Sequence, residues 1–270
     1  TAGASKEIES EITISTWQSI YKLPKDWFSQ FQVVIGDEAH LFKAKSLTTI
    51  MSKLVVCPYK FGFTGTLDDS NTHKLVLEGL FGPVESVIKT AELIKQKYLA
   101  ELKINICVLE HTLKNRSEQV RATYRDEINF IVGNRQRNEF LLKLCSELEG
   151  NTLLLFGLVE KHGKVLHEMA SKLDRRVFFV HGGVPGQARD EIRSIVESED
   201  RALIVASYGT FSTGVNIKRL NNVVFASPSK SKIRVLQSIG RGLRRSDSKV
   251  EVRLYDIVDD LRKGSWVNFT

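Results

Sequence analysis

The sequence is poor in the features that define secreted, membrane and metal-binding proteins. Its three cysteines, Cys57, Cys107 and Cys145, lie far apart in 270 residues, and neither they nor the six histidines have the spacing of a zinc site. No apolar run approaches the ~18 residues of a membrane-spanning helix, and no signal peptide opens the chain. We therefore expect a cytoplasmic globular protein whose thiols stay reduced.

A glycine-rich phosphate-binding loop is also missing. No Gly-x-x-x-x-Gly-Lys-Ser/Thr occurs in the sequence, although that loop is the usual means of holding nucleotide phosphates with backbone N–H groups, a lysine and a Mg²⁺-binding hydroxyl. The most similar stretch, His162-Gly163-Lys164-Val165, lacks the upstream glycine and has valine in place of the hydroxyl residue. The chain alone is therefore not expected to hydrolyse a nucleoside triphosphate.

Arginine is absent from residues 1–99, where 11 lysines balance 11 acidic residues. The remaining residues carry 28 Lys and Arg against 21 acidic residues, which accounts for the net charge of +7. This break predicts two units with a boundary near residues 85–105, of which the second offers the more basic surface to a polyanion. An excess of this kind commonly serves only solubility, but several basic residues near the loops considered below favour phosphate contact: Lys218, Arg219, Lys230, Lys232 and Arg234.

Two acidic residues follow an apolar run in the first unit. Val33-Val34-Ile35-Gly36 reads as a buried parallel strand, and Asp37 and Glu38 stand at its carboxyl end, where ligands of open α/β sheets bind. Asp37 is suited to hold Mg²⁺, and Glu38 to orient and deprotonate an attacking water. A strand followed by a polar turn would give a bare Asp-Glu pair as well, but the tetrapeptide that ends in His40 is more specific.

Two other strand ends carry hydroxyl and glycine residues. Thr64-Gly65-Thr66 follows the apolar stretch Tyr59–Phe63, and its hydroxyls are placed to hydrogen-bond the acidic pair or His40. A loop over residues 207–216 follows the strand Ala202–Ala206 and can offer hydroxyls and N–H groups to phosphates. Either loop alone is equally compatible with an ordinary turn.

A basic helix completes the set of motifs. The stretch from Gln237 has the spacing Gln-x-x-Gly-Arg-x-x-Arg, which places Gln237, Gly240, Arg241 and Arg244 on one helical face. Guanidinium groups stay charged and bind phosphate oxygens in a bidentate manner. Taken alone, such a helix is more often a solvated basic face.

The order of these motifs resembles that of the superfamily 2 DEAH/DExH-box helicases over most of the chain. The resemblance assigns motif II to Asp37–His40, motif III to Thr64–Thr66, motif V to Thr210–Asn216 and motif VI to Gln237–Arg244. Within this family the chain is most similar to the UvsW-type recombination helicases of T4-like phages, on the stretches Ser15–Ser19, Val205–Gly214, Ser229–Gln237 and Tyr255–Asp260. Restriction-enzyme motor subunits and repair helicases share the general motifs.

The resemblance implies an ATP-dependent DNA helicase or translocase that acts on branched DNA or R-loops in recombination and repair, with ATP and Mg²⁺ as cofactors. It implies an α/β fold of two RecA-like domains, whose parallel sheets are covered by helices. Residues 1–99 would be the later part of the first domain, and residues 100–270 the second domain with motifs IV to VI. If a phage encodes the protein, it acts in the host-cell cytoplasm.

The resemblance also implies roles for individual residues. The catalytic set would be Asp37, Glu38, His40, Gln237, Arg241 and Arg244, with Mg²⁺ on Asp37 and Glu38. Nucleotide binding would involve Asp37, Gly214, Asn216, Arg241 and Arg244. Nucleic acid would contact Thr16, Trp17, Thr64, Thr66, Phe156, Gly157, His181, Gly182, Thr210 and Thr213.

Helical and strand periodicity predicts the architecture independently of the resemblance. From Thr152 to Ile257, strands alternate with helices, which predicts a parallel sheet covered on both faces. Earlier in the chain we predict a short strand at Ile12–Ile14 and one long helical region from Tyr124 to Leu148. A helix is also predicted over His162–Leu173.

In the family the phosphate loop precedes motif II, whereas only 36 residues precede Asp37 here. We therefore expect the chain to be part of a longer protein, with truncation also after the apolar end at Trp266–Thr270; the alternative is a split enzyme. Expected partners are branched or duplex DNA, or an RNA–DNA hybrid, together with the polypeptide that carries the phosphate loop, and no membrane. Two other functions stay open: the motor portion of a restriction-type or repair helicase, and a non-catalytic nucleic-acid-binding remnant.

Overall fold

A computed structural model of the chain describes residues 8, 10–42, 44–65, 67, 71–119, 122–210, 217–229, 239–240, 243 and 251–261. The chain divides into two compact units, Thr1–Val87 and Ile88–Thr270, each with its own hydrophobic core. The division precedes residue 99, since Ala100 already packs in the core of the second unit. The predicted boundary at residue 99 separates family domains and stays a prediction. Among the helices within the described ranges, none is both long and apolar enough to span a membrane.

The first unit is built on a two-stranded parallel sheet, in which Val33 pairs with Tyr59 and Gly36 with Gly62. Its elements are α1 (Trp17–Ile20), α2 (Lys25–Phe28), β1 (Val33–Gly36), a 3₁₀ turn (Ala39–Leu41), α3 (Lys45–Lys53), β2 (Tyr59–Gly62) and α4 (Asn71–Phe81).

One face of this sheet is packed and the other is open. On the packed face, a Cβ atom on Gly36 would lie 2.8 Å from the Phe42 ring, and one on Gly62 would lie 2.9 Å from the Phe81 ring. Glycine at both positions therefore lets the aromatic rings sit directly on the strands. The open face presents apolar side chains that are about half exposed or more: Val33, Ile35, Tyr59 and Phe61.

The prediction of a strand at Ile12–Ile14 is wrong. These residues form no strand, and the Ile12 and Ile14 side chains are 77% and 92% exposed. Apolar alternation suits a strand only when a neighbouring strand and a buried face are available. Within the residues described for the first unit, this segment has neither.

The second unit contains a six-stranded, fully parallel sheet in the order β3-β8-β7-β4-β6-β5. Its elements are α5 (Thr90–Lys95), β3 (Glu101–Glu110), α6 (Leu113–Gln119), α7 (Tyr124–Gly133), α8 (Arg135–Glu147), β4 (Asn151–Phe156), a π-helical turn (Val159–Gly163), α9 (Lys164–Ala170), β5 (Val177–Val180), α10 (Gly186–Ser198), β6 (Leu203–Ser207), β7 (Leu220–Phe225) and β8 (Glu251–Asp260).

The central strand β4 is buried along its whole length. Leu153 and Leu155 point into one hydrophobic cluster, whereas Leu154 and Phe156 point into the cluster on the other face. Two-sided burial explains why this strand is almost continuously apolar instead of alternating. The predicted α/β fold with a parallel sheet covered by helices is confirmed.

The predicted helical region from Tyr124 to Leu148 is two helices. Asn134 has extended backbone angles, and its side-chain oxygen accepts a hydrogen bond of 3.0 Å from the Arg137 amide. Asparagine is a favoured N-terminal cap, so it ends α7 and starts α8 although the apolar spacing continues across it. The predicted helix at His162 likewise starts earlier, as the π-helical turn from Val159.

Candidate functional site

The acidic pair occupies a strained turn directly after β1. Glu38 has left-handed backbone angles (φ 49°, ψ 50°), and its amide donates to Asp37 Oδ1 at 2.9 Å. The next amide, that of Ala39, donates to the Phe63 carbonyl at 2.8 Å, which ties the turn to the end of β2. A non-glycine residue in this conformation costs about 1 kcal/mol, and such strain concentrates at functional sites.

His40 links the acidic turn to the threonine loop. Its side chain is buried, and its Nδ1 lies 2.9 Å from Thr64 Oγ1 and 3.2 Å from Glu38 Oε2. Asp37 is exposed and Glu38 partly exposed, so both carboxylates are open to a ligand. The structure thus brings together Glu38, His40 and Thr64, as hydrogen bonding between the two motifs requires.

The acidic pair fits a hydrated Mg²⁺ ion. Mg²⁺ prefers carboxylate oxygens, retains several waters and is commonly held by only one or two protein carboxylates together with substrate phosphates. Asp37 and Glu38 offer this donor set. No cluster of three or more His, Cys, Asp or Glu side chains suited to a metal occurs within the described part of the chain.

Thr16 and Trp17 lie at the start of α1 in the first unit. Thr16 is the exposed residue before the helix, with its Oγ1 3.0 Å from Ser19 Oγ. Trp17 is 36% exposed, and its ring packs edge-on against Tyr21, with ring centroids 5.9 Å apart. One side of Trp17 is therefore used in packing, and its contact with nucleic acid stays a prediction.

In the second unit, the predicted nucleic-acid residues gather at the carboxyl edge of the sheet. Gly157 follows β4, His181 and Gly182 follow β5, and Thr210 follows β6, and these three strands are neighbours. A Cβ atom on Gly182 would lie 4.0 Å from Thr210 Oγ1, so the last two loops touch. Phe156 differs, because the whole residue is buried, with its ring stacked beside Phe179, and it offers a ligand neither side chain nor backbone.

Several polar groups of these loops already have partners within the protein. The Gly157 amide donates to Ser227 Oγ at 3.1 Å, and Thr210 Oγ1 lies 2.8 Å from Ser207 Oγ. His181 Nδ1 accepts the Gly183 amide at 3.1 Å. The Gly157 amide is therefore occupied, and a phosphate near this loop must use other groups.

A buried polar chain behind the loop was not predicted. Ser227, at the end of β7, contacts His162 in the π-helical turn, and His162 contacts Asn138 in α8. The available sequence signal was a histidine beside a glycine at the start of a predicted helix. Periodicity could not assign this pair to the interior, because a π-helical turn changes which residues face inward.

Two of the basic residues expected near the loops lie at the opposite edge of the sheet. Lys218 and Arg219 precede β7, and Arg219 donates to the Glu197 carbonyl at 3.2 Å and forms an ion pair with Asp200. The expectation that Arg219 stands among the loops at the strand ends is therefore wrong. Adjacent sequence numbers did not indicate which end of the strand they flank.

The remaining predicted site residues lie outside the described residues. They are Thr66, Thr213, Gly214, Asn216, Gln237, Arg241 and Arg244, together with the basic residues Lys230, Lys232 and Arg234. Their roles stay predictions. Gly240, within the predicted basic helix, is described as helical and exposed.

Comparison with known families matches both units. The helicase conserved C-terminal domain family matches residues 136–246, and the family described as type III restriction enzyme, res subunit, matches residues 1–69. The chain is 36% identical to the ATP-dependent DNA helicase uvsW of Enterobacteria phage T4 over 95% of its length. The chain belongs to the superfamily 2 helicases.

Solved structures agree with this family. The crystal structure of T4 UvsW matches 94% of the chain and 50% of that protein, with a TM-score of 0.54 and 35% identity. The type ISP restriction-modification enzyme LlaBIII bound to DNA matches with a TM-score of 0.62 over 92% of this chain and 20% of that one, at 16% identity, which shows a shared fold. The putative ATP-dependent helicase IRC3 of Saccharomyces cerevisiae is 22% identical over 93% of this chain and 37% of its own length.

The chain spans about half the length of the T4 relative, 52%. Membership of the family implies ATP as the nucleotide and usually Mg²⁺ as its metal. The activity, substrate and partners of the whole protein are matters for the proposal below.

Proposed function

We propose that this chain is the part of an ATP-driven DNA helicase or translocase that activates water and binds nucleic acid, acting on branched DNA or R-loops in recombination and repair. The observation that carries the proposal is the constellation Glu38–His40–Thr64 after two neighbouring parallel strands. A DNA helicase of phage T4 with 36% identity supports the choice of DNA as the substrate.

The acidic turn accounts for the chemistry. Glu38 is the base that orients the attacking water, and Asp37 is the ligand for Mg²⁺, which when bound neutralises charge on the phosphate oxygens. His40 lies against Glu38 Oε2 and restricts that carboxylate, while Thr64 fixes the imidazole ring. Arg241 and Arg244 would stabilise the transition state, and an arginine in this role contributes on the order of 10³–10⁵ in rate.

The hydrogen bond between His40 and Thr64 accounts for coupling between DNA binding and ATP hydrolysis. A change at the threonine loop must alter the hydrogen bond to His40 and, through it, the position of Glu38. Contact between nucleic acid and the threonine loop would therefore affect the general base Glu38 through only two side chains, Thr64 and His40. This arrangement makes hydrolysis depend on DNA, as a translocase requires.

Nucleic acid would bind the loops at the carboxyl edge of the second sheet. Gly157 and Gly182 are exposed there and carry no side chain, which permits close approach of a sugar–phosphate backbone, whereas Thr210 is buried beneath them with its hydroxyl against Ser207. Contacts of this kind are insensitive to base sequence and weaken steeply with salt.

The open face of the first sheet is the place where we propose that further polypeptide packs. Val33, Ile35, Tyr59 and Phe61 are 49%, 66%, 59% and 49% exposed on a parallel sheet, an arrangement that normally has both faces covered. We propose that the segment that carries the phosphate-binding loop covers this face. Its size is accommodated by the half of the T4 relative that the chain does not match.

A chimera tests the proposal. The unmatched part of the T4 relative is joined to this chain, and DNA-stimulated ATP hydrolysis is measured for the chimera, for its Glu38→Gln variant and for the chain alone. We expect hydrolysis by the chimera, loss of at least about 100-fold in the variant because the base is removed, and none by the chain alone. A folded chimera that binds DNA without hydrolysing ATP would instead favour the non-catalytic remnant.

A restriction-type motor is the second candidate, because residues 1–69 match a type III restriction subunit family. The two functions differ in the nucleic acid that activates them. Hydrolysis by the chimera that is stimulated more by a four-way junction or an R-loop than by linear duplex of equal length supports the recombination helicase. Equal stimulation by linear duplex supports the restriction-type motor.

A further inference from the structure

The loop after β4 is held in place by a buried hydrogen-bonded chain of side chains. Ser227 Oγ lies 3.1 Å from the Gly157 amide and 2.9 Å from His162 Nδ1, and His162 Nε2 lies 3.1 Å from Asn138 Oδ1. The Asn138 side-chain nitrogen, Nδ2, lies 3.0 Å from the Val132 carbonyl oxygen. This series of hydrogen bonds thus runs from the surface loop into the interior of the second unit.

The chemistry of the partners fixes the direction of every hydrogen bond. The Val132 carbonyl can only accept, so Asn138 presents its NH₂ to it and its oxygen to His162. His162 Nε2 must then donate to Asn138 Oδ1, which leaves Nδ1 of a neutral ring as an acceptor. The Ser227 hydroxyl therefore donates to Nδ1 and accepts the Gly157 amide.

Burial keeps the histidine in this state. Desolvation, together with the positive charge of Arg137, lowers the pKa of His162 to about 3, so the ring is neutral at physiological pH. A protonated ring would donate from both nitrogens and would reverse the Ser227 hydroxyl. The hydrogen bonds through His162 therefore keep one set of directions at physiological pH.

The π-helical turn is what brings His162 inward. The Gly163 amide donates to the Leu158 carbonyl five residues back at 2.9 Å, so the turn is wider than an α-helical one. Gly163 lies against the Phe156 ring, where a Cβ atom would be 2.5 Å from two ring carbons. Close packing of Gly163 and the wide turn together aim His162 at Ser227, and turns of this type are frequent at functional sites.

Ser227 joins two of the loops at the sheet edge. Its side chain holds Gly157 after β4, and its carbonyl accepts the Tyr208 hydroxyl, which follows β6, at 2.9 Å. Tyr208 and Ser227 are both buried. The position of each loop therefore depends on one residue that cannot itself reach a bulky ligand.

We propose that Ser227 and His162 are positioning residues for nucleic-acid binding, which hold the Gly157 loop in the conformation that meets the sugar–phosphate backbone. This inference rests on the proposed function, since it needs the loops at the sheet edge to bind nucleic acid. The buried hydrogen-bonded side chains would then affect the affinity for nucleic acid and not the chemistry of hydrolysis.

The test compares hydroxyl-keeping and hydroxyl-removing variants of the whole chain in binding to a labelled DNA strand at fixed salt. Ser227→Ala should weaken binding about five- to tenfold, the effect of losing one oriented hydrogen bond, while Ser227→Thr should restore most of it. Ser171→Ala is the control, because that exposed hydroxyl bonds only the Glu168 carbonyl. Amide exchange at Gly157 should be faster in Ser227→Ala and restored in Ser227→Thr.

A double-mutant cycle tests the role of the imidazole. In a His162→Phe background, Ser227→Ala should change affinity by less than about twofold, because the hydroxyl has already lost its orienting acceptor. Parent-like affinity of Ser227→Ala overturns the inference and leaves the proposed function intact. Absence of DNA binding by the parent chain overturns both.

Discussion

Glu38 illustrates a conflict between backbone stability and chemistry at one residue. Its left-handed conformation disfavours any side chain, yet the proposed reaction needs a carboxylate at this position. Replacing Glu38 by glycine should remove the strain and raise the free energy of unfolding of the first unit by about 0.5–1 kcal/mol. Chemical unfolding of the chain measures this change.

The matched control is Glu38→Gln, which keeps a side chain of the same size and therefore keeps the strain. We expect Glu38→Gln to change stability by less than about 0.5 kcal/mol, because Glu38 is partly exposed and glutamine keeps an oxygen or nitrogen within reach of His40 Nδ1, which lies 3.2 Å from Glu38 Oε2. If both variants are equally stable, the left-handed turn is not strained in the folded chain.

His162 gives the stability of the second unit a pH dependence. Its pKa is about 3 in the folded chain, whereas an unfolded histidine titrates near ~6.5. Below that pH the unfolded state binds a proton that the folded state does not. The free energy of unfolding should therefore fall by up to about 1.4 kcal/mol per pH unit as the pH drops from ~6.5 towards 3.

Urea unfolding at about pH 7.5 and about pH 5 measures this loss, which should be near 2 kcal/mol. Other groups titrate as well, so the informative quantity is the difference from His162→Gln, which cannot be protonated in this range. The variant should be less stable at neutral pH and less sensitive to acid. Identical acid sensitivity of the two proteins would show that His162 is accessible to protons when folded.

At the scale of elements, Arg175 fastens the amino edge of the second sheet. Its guanidinium donates to the Leu148, Gly150 and Ala202 carbonyls at 3.1, 2.7 and 3.1 Å and to the Cys145 carbonyl at the end of α8. One side chain thus donates hydrogen bonds to backbone carbonyls at the end of a helix and at the starts of two strands. Arg175→Met removes four guanidinium hydrogen bonds from this edge, although the Ala202 carbonyl keeps the Thr152 amide as a donor, and should lower the free energy of unfolding by about 2–4 kcal/mol.

The neighbouring Arg176 supplies a matched control. It pairs with Glu199 at the surface, with 2.8 Å between Nη1 and Oε1. Exposed ion pairs contribute little, so Arg176→Met should cost less than about 1 kcal/mol. Similar losses for the two variants, measured by urea unfolding of the second unit, would contradict the fastening role of Arg175.

Elements with strong periodicity were predictable, and so was the parallel sheet. Thr152–Phe156 and Val177–Val180 are apolar and lie between helical segments, which leaves little choice other than buried parallel strands. Local hydrogen bonds limited the rest, because Asn134 divides a helix on account of its side chain and not its hydrophobicity. Ile12–Ile14 failed for the complementary reason that a strand needs a partner.

Site residues were predictable where a motif contains several chemically demanding positions in a row. Asp37 and His40 are of this kind, and the structure places them in one turn beside Thr64. Ser227 was not predictable, because a single serine after a strand has no distinguishing pattern. Its partners come from two other elements of the second unit, and only the fold brings them together.

At the scale of the molecule, the two units differ in what they still need. The second unit has six strands and hydrophobic clusters on both faces of the sheet. Within the described residues, the first has two strands and one covered face. Two parallel strands with one bare apolar face are marginal in water. We therefore expect the first unit to unfold first and to gain most from added polypeptide.

Substitution of the bare face separates its role in the chain from its role in the chimera with the T4 segment. Ile35→Gln combined with Phe61→Gln should change the stability of the chain alone by less than about 1 kcal/mol, because both residues are already about half exposed or more. In the chimera the same pair should cost several kcal/mol and abolish ATP hydrolysis, since each buried apolar side chain contributes about 1.5–3 kcal/mol. Leu113→Gln, at an exposed position of the second unit, should be neutral in both proteins. A chimera that tolerates the double substitution would mean that the segment with the phosphate loop packs elsewhere, and the assignment of this face would then be wrong.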